Sequence, residues 1–104
     1  MGNQHTENLL RRMRLDLYFN SSLASMHKLI ASVGMLKAKE KRTTLSVKLD
    51  EGLSFRVIYP INGNMVEFSY CNTNNGMSVS SSECSMLDFE KSIKRVYFKK
   101  KNEL

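Results

Sequence analysis

The side chains able to do chemistry in this chain are few, and their spacing decides which chemistry is open to them. Cys71, Cys84, His5 and His27 are all the thiol and imidazole groups present. A nucleophilic Cys–His pair needs the base beside the thiol, and no spacing here brings one about. A structural zinc site needs a close ligand pair such as C-x-x-C, which the sequence lacks. Asp50-Glu51 precede Gly52 and read as turn residues rather than paired carboxylates. The five glycines never form a phosphate-cradling loop. No enzyme, cofactor or metal site is expected.

Cations are the more informative set. The net charge of +6 resolves into +5 over residues 1–44, −4 over 45–90 and +5 over 91–104. Arg11, Arg12 and Arg14 lie near the start, Lys37, Lys39, Lys41 and Arg42 follow, and Lys91, Lys94, Arg95, Lys99, Lys100 and Lys101 end the chain. A surface of one sign attracts anions over a distance of roughly a Debye length. If the terminal clusters share a face, that face neutralises several phosphates. Tyr18, Tyr97 or Phe98 would add stacking beside it. Arg11, Arg12, Arg14, Lys91, Lys94, Arg95, Lys99, Lys100 and Lys101 are the candidate nucleic-acid-binding residues.

The first six residues, Met1-Gly2-Asn3-Gln4-His5-Thr6, fit the M-G-x-x-x-[ST] pattern of N-myristoylation, with Gly2 as the acceptor. One acyl chain holds a membrane only marginally, and Arg11, Arg12 and Arg14 would supply the usual basic second signal.

The elements that must position these residues follow from periodicity. Thr6 before Glu7 reads as a helix start, and Leu9, Leu10, Met13 and Leu17 form one apolar stripe. Arg11, Arg14 and Tyr18 point away from it. Asn20-Ser21-Ser22 supplies a break and a cap. A second helix carries Leu23, Met26, Leu29, Ile30, Val33 and Leu36 on one face. From Thr43 the period becomes two. Leu45, Val47 and Leu49 alternate with polar residues, as do Leu53, Phe55, Val57 and Tyr59, then Val66, Phe68 and Tyr70, then Met77 and Val79. A loop at Asp50 to Gly52 and a tight turn at Asn62-Gly63 pair Val47 with Phe55, Val57 with Phe68 and Tyr59 with Val66. A four-residue loop at Asn72 to Asn75 pairs Tyr70 with Met77 and Phe68 with Val79. Every pair is apolar, and a one-residue slip would undo all of them. Ser85 caps a last helix with Asp88 at its third position, and Met86, Phe89, Ile93, Val96 and Tyr97 form its stripe.

The expected fold is α+β, in the order α-α-β-β-β-β-α. A four-stranded antiparallel meander is covered on one face by helices. The outer sheet face, with Ser46, Lys48, Ser54, Arg56, Ile58, Glu67, Ser69, Ser78 and Ser80, lacks the aromatics of an RNA-stacking sheet. One domain spans 1–104, with tails at 1–5 and 101–104. At 41% hydrophobic and 25% charged the chain is globular rather than disordered. No stretch approaches the ~20 apolar residues of a membrane span, and no signal-peptide core precedes the first helix. Two cysteines are too few for a disulfide scaffold, so a cytoplasmic, reducing setting is expected.

Three functional readings remain. The first is a small non-enzymatic module that binds nucleic acid, or a protein of nucleic-acid metabolism, through the basic terminal helices. The second is a protein-binding regulator or inhibitor of the kind a virus or mobile element encodes. The third is an acylated protein held at an anionic membrane surface. Oligomeric state is open, a homodimer included.

Overall fold

A computed structural model describes residues 4–49, 52–76 and 80–103, with the backbone alone at Asn75 and Ser80. The elements are α1 (Gln4–Asn20), α2 (Leu23–Lys37), β1 (Thr43–Lys48), β2 (Leu53–Asn62), β3 (Met65–Asn72), a 3-10 turn (Thr73–Asn75), β4 (Ser80–Ser85) and α3 (Met86–Asn102). The strands form one antiparallel sheet in the order β1-β2-β3-β4, as the alternation predicts. α3 packs against both other helices, α1 lies over β4 and α2 lies over β1.

The helices sit there because each has one apolar stripe to bury. Leu9, Leu10, Met13 and Leu17 of α1, Met26, Leu29, Val33 and Leu36 of α2, and Phe89, Ile93 and Val96 of α3 close over Val47, Phe55, Val57, Val66, Phe68 and Tyr70. Phe68 meets Phe89 with ring centres 5.1 Å apart. The two expected caps form. The Ser22 hydroxyl accepts from the Ser25 N–H at 3.1 Å, and the Ser85 hydroxyl from the Asp88 N–H at 3.1 Å. Each satisfies a backbone donor that the first helical turn leaves open.

Three local expectations are corrected. The first helix starts before Thr6: α1 begins at Gln4, and Thr6 is buried in its first turn, hydrogen-bonded to the Ser82 hydroxyl. The pairings of Val47 with Phe55 and Val57 with Phe68 hold, but Tyr59 does not face Val66. The β2–β3 ladder is regular to Ile58–Glu67 and resumes at Asn62–Met65, with Pro60 in the gap. Proline has no N–H for a ladder bond, so pairing is broken around it. The turn residues are Gly63-Asn64. Gly63 takes φ of 60° at the first central position, where a II′-type hairpin needs glycine.

The fourth strand is also displaced. Met77 and Val79 lie outside the described residues. The strand facing β3 is the serine-rich Ser80–Ser85, with Phe68 opposite Ser82 and Val66 opposite Cys84. A polar residue is tolerated at the inward Ser82 position because Thr6, brought over by α1, bonds its hydroxyl. Buried polar groups persist where they find such a partner. The ends differ as well: Gln4 and His5 belong to α1, and Lys101 and Asn102 to α3, within the stretches expected as tails.

Candidate functional site

α1 and α3 run side by side, and the space between them is an open groove of about 340 Å³. Arg11, Arg14, Leu15, Tyr18 and Phe19 line it from α1, and Arg95, Val96 and Lys99 from α3. The local reason is helical spacing. Residues three and four apart share a face, so Arg11, Arg14, Leu15 and Tyr18 cluster on one side, as do Arg95 and Lys99. The apolar stripes of both helices are turned to the sheet, which leaves these cations toward each other and toward solvent.

Four cations and no carboxylate therefore line the groove. The two ion pairs among the described residues lie elsewhere: Glu90 takes Lys37 at 2.8 Å and Lys94 at 3.5 Å. Arg14 is half-buried, and its guanidinium donates to the Ser92 hydroxyl across the groove at 3.2 Å. Partial burial, then the charge of Arg95, pulls its pKa below the ordinary arginine value. Arg11 adds to this, and Glu7 opposes it. Arginine stays charged under such a shift. Loss of water around the guanidinium is the main cause, and the neighbouring cations add to it.

One end of the groove is aromatic. Phe19 is 73% exposed and Leu15 53% exposed, so both present apolar surface to solvent beside the cations. Tyr18 and Phe19 meet edge to face, with centres 4.9 Å apart. The Lys99 ammonium lies 4.6 Å and that of Lys100 5.3 Å from the Tyr18 ring centre. Such cation–π contacts hold the aminium groups over the ring. The Tyr18 hydroxyl donates to the Glu103 carboxylate at 2.7 Å, which raises the phenol pKa. A shallow hollow continues past this ring, bounded by Tyr18, Phe19, Ser22, Leu23, Lys100 and Glu103.

Of the nine basic candidates, Arg11, Arg14, Arg95 and Lys99 come together here. Lys100 joins from the groove end, donating to the Tyr18 carbonyl at 2.8 Å. The other four do not line it. Arg12 is exposed elsewhere on α1, near enough for its charge to act on the Tyr70 phenol. Lys91 is exposed one turn before Arg95. Lys94 pairs with Glu90 on the side of α3 that faces α2. Lys101 sits 5.8 Å from the Tyr97 ring centre, and Tyr97 itself meets His27 of α2, hydroxyl to Nε2, at 3.1 Å. Tyr97 thus belongs to the α2–α3 seam. Phe98 is exposed outside the groove, so Tyr18 is the one expected stacking residue that lines it. Phe19 and Leu15 were missed. The available signal was helical spacing, with Leu15 four and Phe19 eight residues from Arg11, off the buried stripe.

The middle cluster has a structural task in part. Arg42 donates to the Pro60 carbonyl at 3.2 Å and the Ile61 carbonyl at 2.6 Å, holding the irregular stretch of β2. Lys37 is engaged by Glu90.

The thiols do not meet. Cys71 is on the outer sheet face, and Cys84 is buried on the inner one. Burial, then Asp88 and Glu7, push the Cys84 thiol up to about 12, which makes it a poor nucleophile. Among the described residues no three His, Cys, Asp or Glu side chains converge as a metal centre needs. No described helix is long and apolar enough to cross a membrane. Gly2 lies outside the described residues. Comparison of the chain with protein-family models, with curated proteins and with solved structures finds no match.

Proposed function

We propose that this chain is a non-enzymatic binding module that takes the phosphate backbone of nucleic acid in the groove between α1 and α3. The observation that carries the reading is the convergence of Arg11, Arg14, Arg95 and Lys99 on one concave surface with no carboxylate among the lining residues. Mutual repulsion of these charges is relieved when an anion enters, so part of the binding free energy is stored in the free protein. Phosphates suit the site because arginine presents a planar fork of donors to their oxygens. A polymer of phosphates suits it better than a single one, since the cations are spread along two helices. Binding through phosphates is largely independent of sequence. The reading includes an intracellular, reducing setting, supported by two cysteines that stand on opposite faces of the sheet instead of joined to each other.

The test is fluorescence anisotropy of a labelled oligonucleotide with the full chain, repeated across a salt series. Affinity falling steeply with salt is the expected result, because bound cations displace condensed counterions. Affinity that holds steady as salt rises severalfold overturns the reading.

A further inference from the structure

Cations and exposed aromatics occupy the same groove, and that pairing discriminates between forms of nucleic acid. A duplex offers its phosphates to the cations but keeps its base faces stacked inside. Against a duplex, Phe19 at the mouth of the groove would press on sugar and phosphate, and its exposed ring would gain little. A single strand offers both parts at once: phosphates for Arg11, Arg14, Arg95 and Lys99, and the flat face of an unstacked base for an aromatic ring. The groove is also bounded by a helix on each side, so its cations and aromatics face a ligand from two walls.

Resting on the reading of the groove as a phosphate site, we propose that its ligand is single-stranded nucleic acid, with a base stacked on Phe19 beside Tyr18 and the flanking phosphates held by the four groove cations. Phe19 is the natural platform because it is 73% exposed and is braced edge-on by Tyr18 at 4.9 Å. Tyr18 is in turn fixed by Lys99 and Lys100 near its ring and by Glu103 at its hydroxyl. A ring held in this way gives up little freedom when a base lands next to it. Recognition is tolerant of sequence. The Tyr18 hydroxyl is already committed to Glu103, so the aromatic end offers a stacking surface rather than a reader of base edges.

The experiment compares a labelled oligo(dT) of about twelve nucleotides with a hairpin duplex of equal phosphate number, both at about 50 mM salt. Three proteins are used: the full chain, Phe19→Leu and Phe19→Trp. Phe19 is exposed, so neither variant disturbs the core. The expected result is that oligo(dT) binds at least severalfold tighter than the duplex. Phe19→Leu weakens oligo(dT) binding by about 5- to 150-fold, the range for loss of one stacked base. The same variant changes duplex binding by less than it changes oligo(dT) binding, so the preference for the single strand shrinks, and Phe19→Trp restores single-strand binding. Equal affinity for the two ligands, or no effect of Phe19→Leu on oligo(dT), overturns the single-strand inference while the phosphate-groove reading stands. Absence of binding to either oligonucleotide overturns both. So does a protein partner that stays bound to the groove after nuclease treatment and is lost in Phe19→Leu.

Discussion

Removing Arg11 and Arg95 together tests the groove most directly. Both are exposed, one on each wall, and neither has a hydrogen bond or ion pair among the described residues. Arg11→Ala/Arg95→Ala therefore leaves the core and the caps untouched, and alanine suits both helix interiors. Four groove cations, each neutralising one phosphate, predict a slope of log affinity against log salt of about −2.8 for a single strand, at about 0.7 per phosphate. Raising salt from about 50 to 200 mM then weakens binding roughly 50-fold. With two cations gone the slope falls to about −1.4, and the same change in salt weakens binding only about 7-fold. A control of equal charge, Arg12→Ala/Lys41→Ala, removes two exposed cations that do not line the groove and keeps the original slope. The assay is oligonucleotide anisotropy at several salt concentrations, with thermal melts to show that all three proteins are folded. If both double variants flatten the slope equally, the attraction belongs to net charge and the groove has no special role. If neither does, phosphates are not held by these residues.

Three further outcomes concern the core, the Glu90 ion pairs and the two thiols. Phe89→Ala, at the centre of the core against Phe68, should cost about 3–5 kcal/mol in urea unfolding; a loss under 1 kcal/mol would mean that this contact does not hold α3 to the sheet. Glu90 is held below the ordinary glutamate range, chiefly by its hydrogen bond from Lys37, with the charges of Lys37 and Lys94 adding to this and burial opposing it. Its depressed pKa contributes stability above about pH 4.3, lost as pH falls through the folded value. The stability gap between the protein and Glu90→Gln should therefore be present at neutral pH, within about 1 kcal/mol for so exposed a pair, and should close in acid. A gap that widens in acid contradicts the assignment. Cys84, buried and with its thiol pushed up to about 12, should resist alkylation at mildly alkaline pH until the protein unfolds, while half-exposed Cys71 reacts in the folded state. Peptide mass mapping reads both, and early labelling of Cys84 would show that the α3–β4 junction opens.

The architecture was legible because its cues are local. Helical spacing in Leu9 to Leu17 and in Phe89 to Val96, and alternation in Leu45 to Tyr70, state which face of each element must leave water. Apolar pairs such as Val57 with Phe68 select the register. β4 was misplaced for the opposite reason. Nothing local in Ser80–Ser85 marks a buried strand. What makes it one is Thr6, 76 residues before Ser82, which supplies the hydrogen bond that its inward hydroxyl needs. The Tyr59–Val66 pairing failed where Pro60 withheld a ladder donor.

The groove divides in the same way. Periodicity alone sets Arg11 beside Arg14 and Arg95 beside Lys99, since both depend on a single helix. That Arg14 meets Ser92 at 3.2 Å, that Tyr18 receives Lys99, Lys100 and Glu103, and that Lys94 and Lys101 turn instead toward α2 depend on how α1 and α2 settle on either side of α3. Charge is additive along a chain and can be counted from composition. Electrostatic focusing depends on the distances between charges, and those distances came into being only when two helices some 80 residues apart packed onto the same sheet.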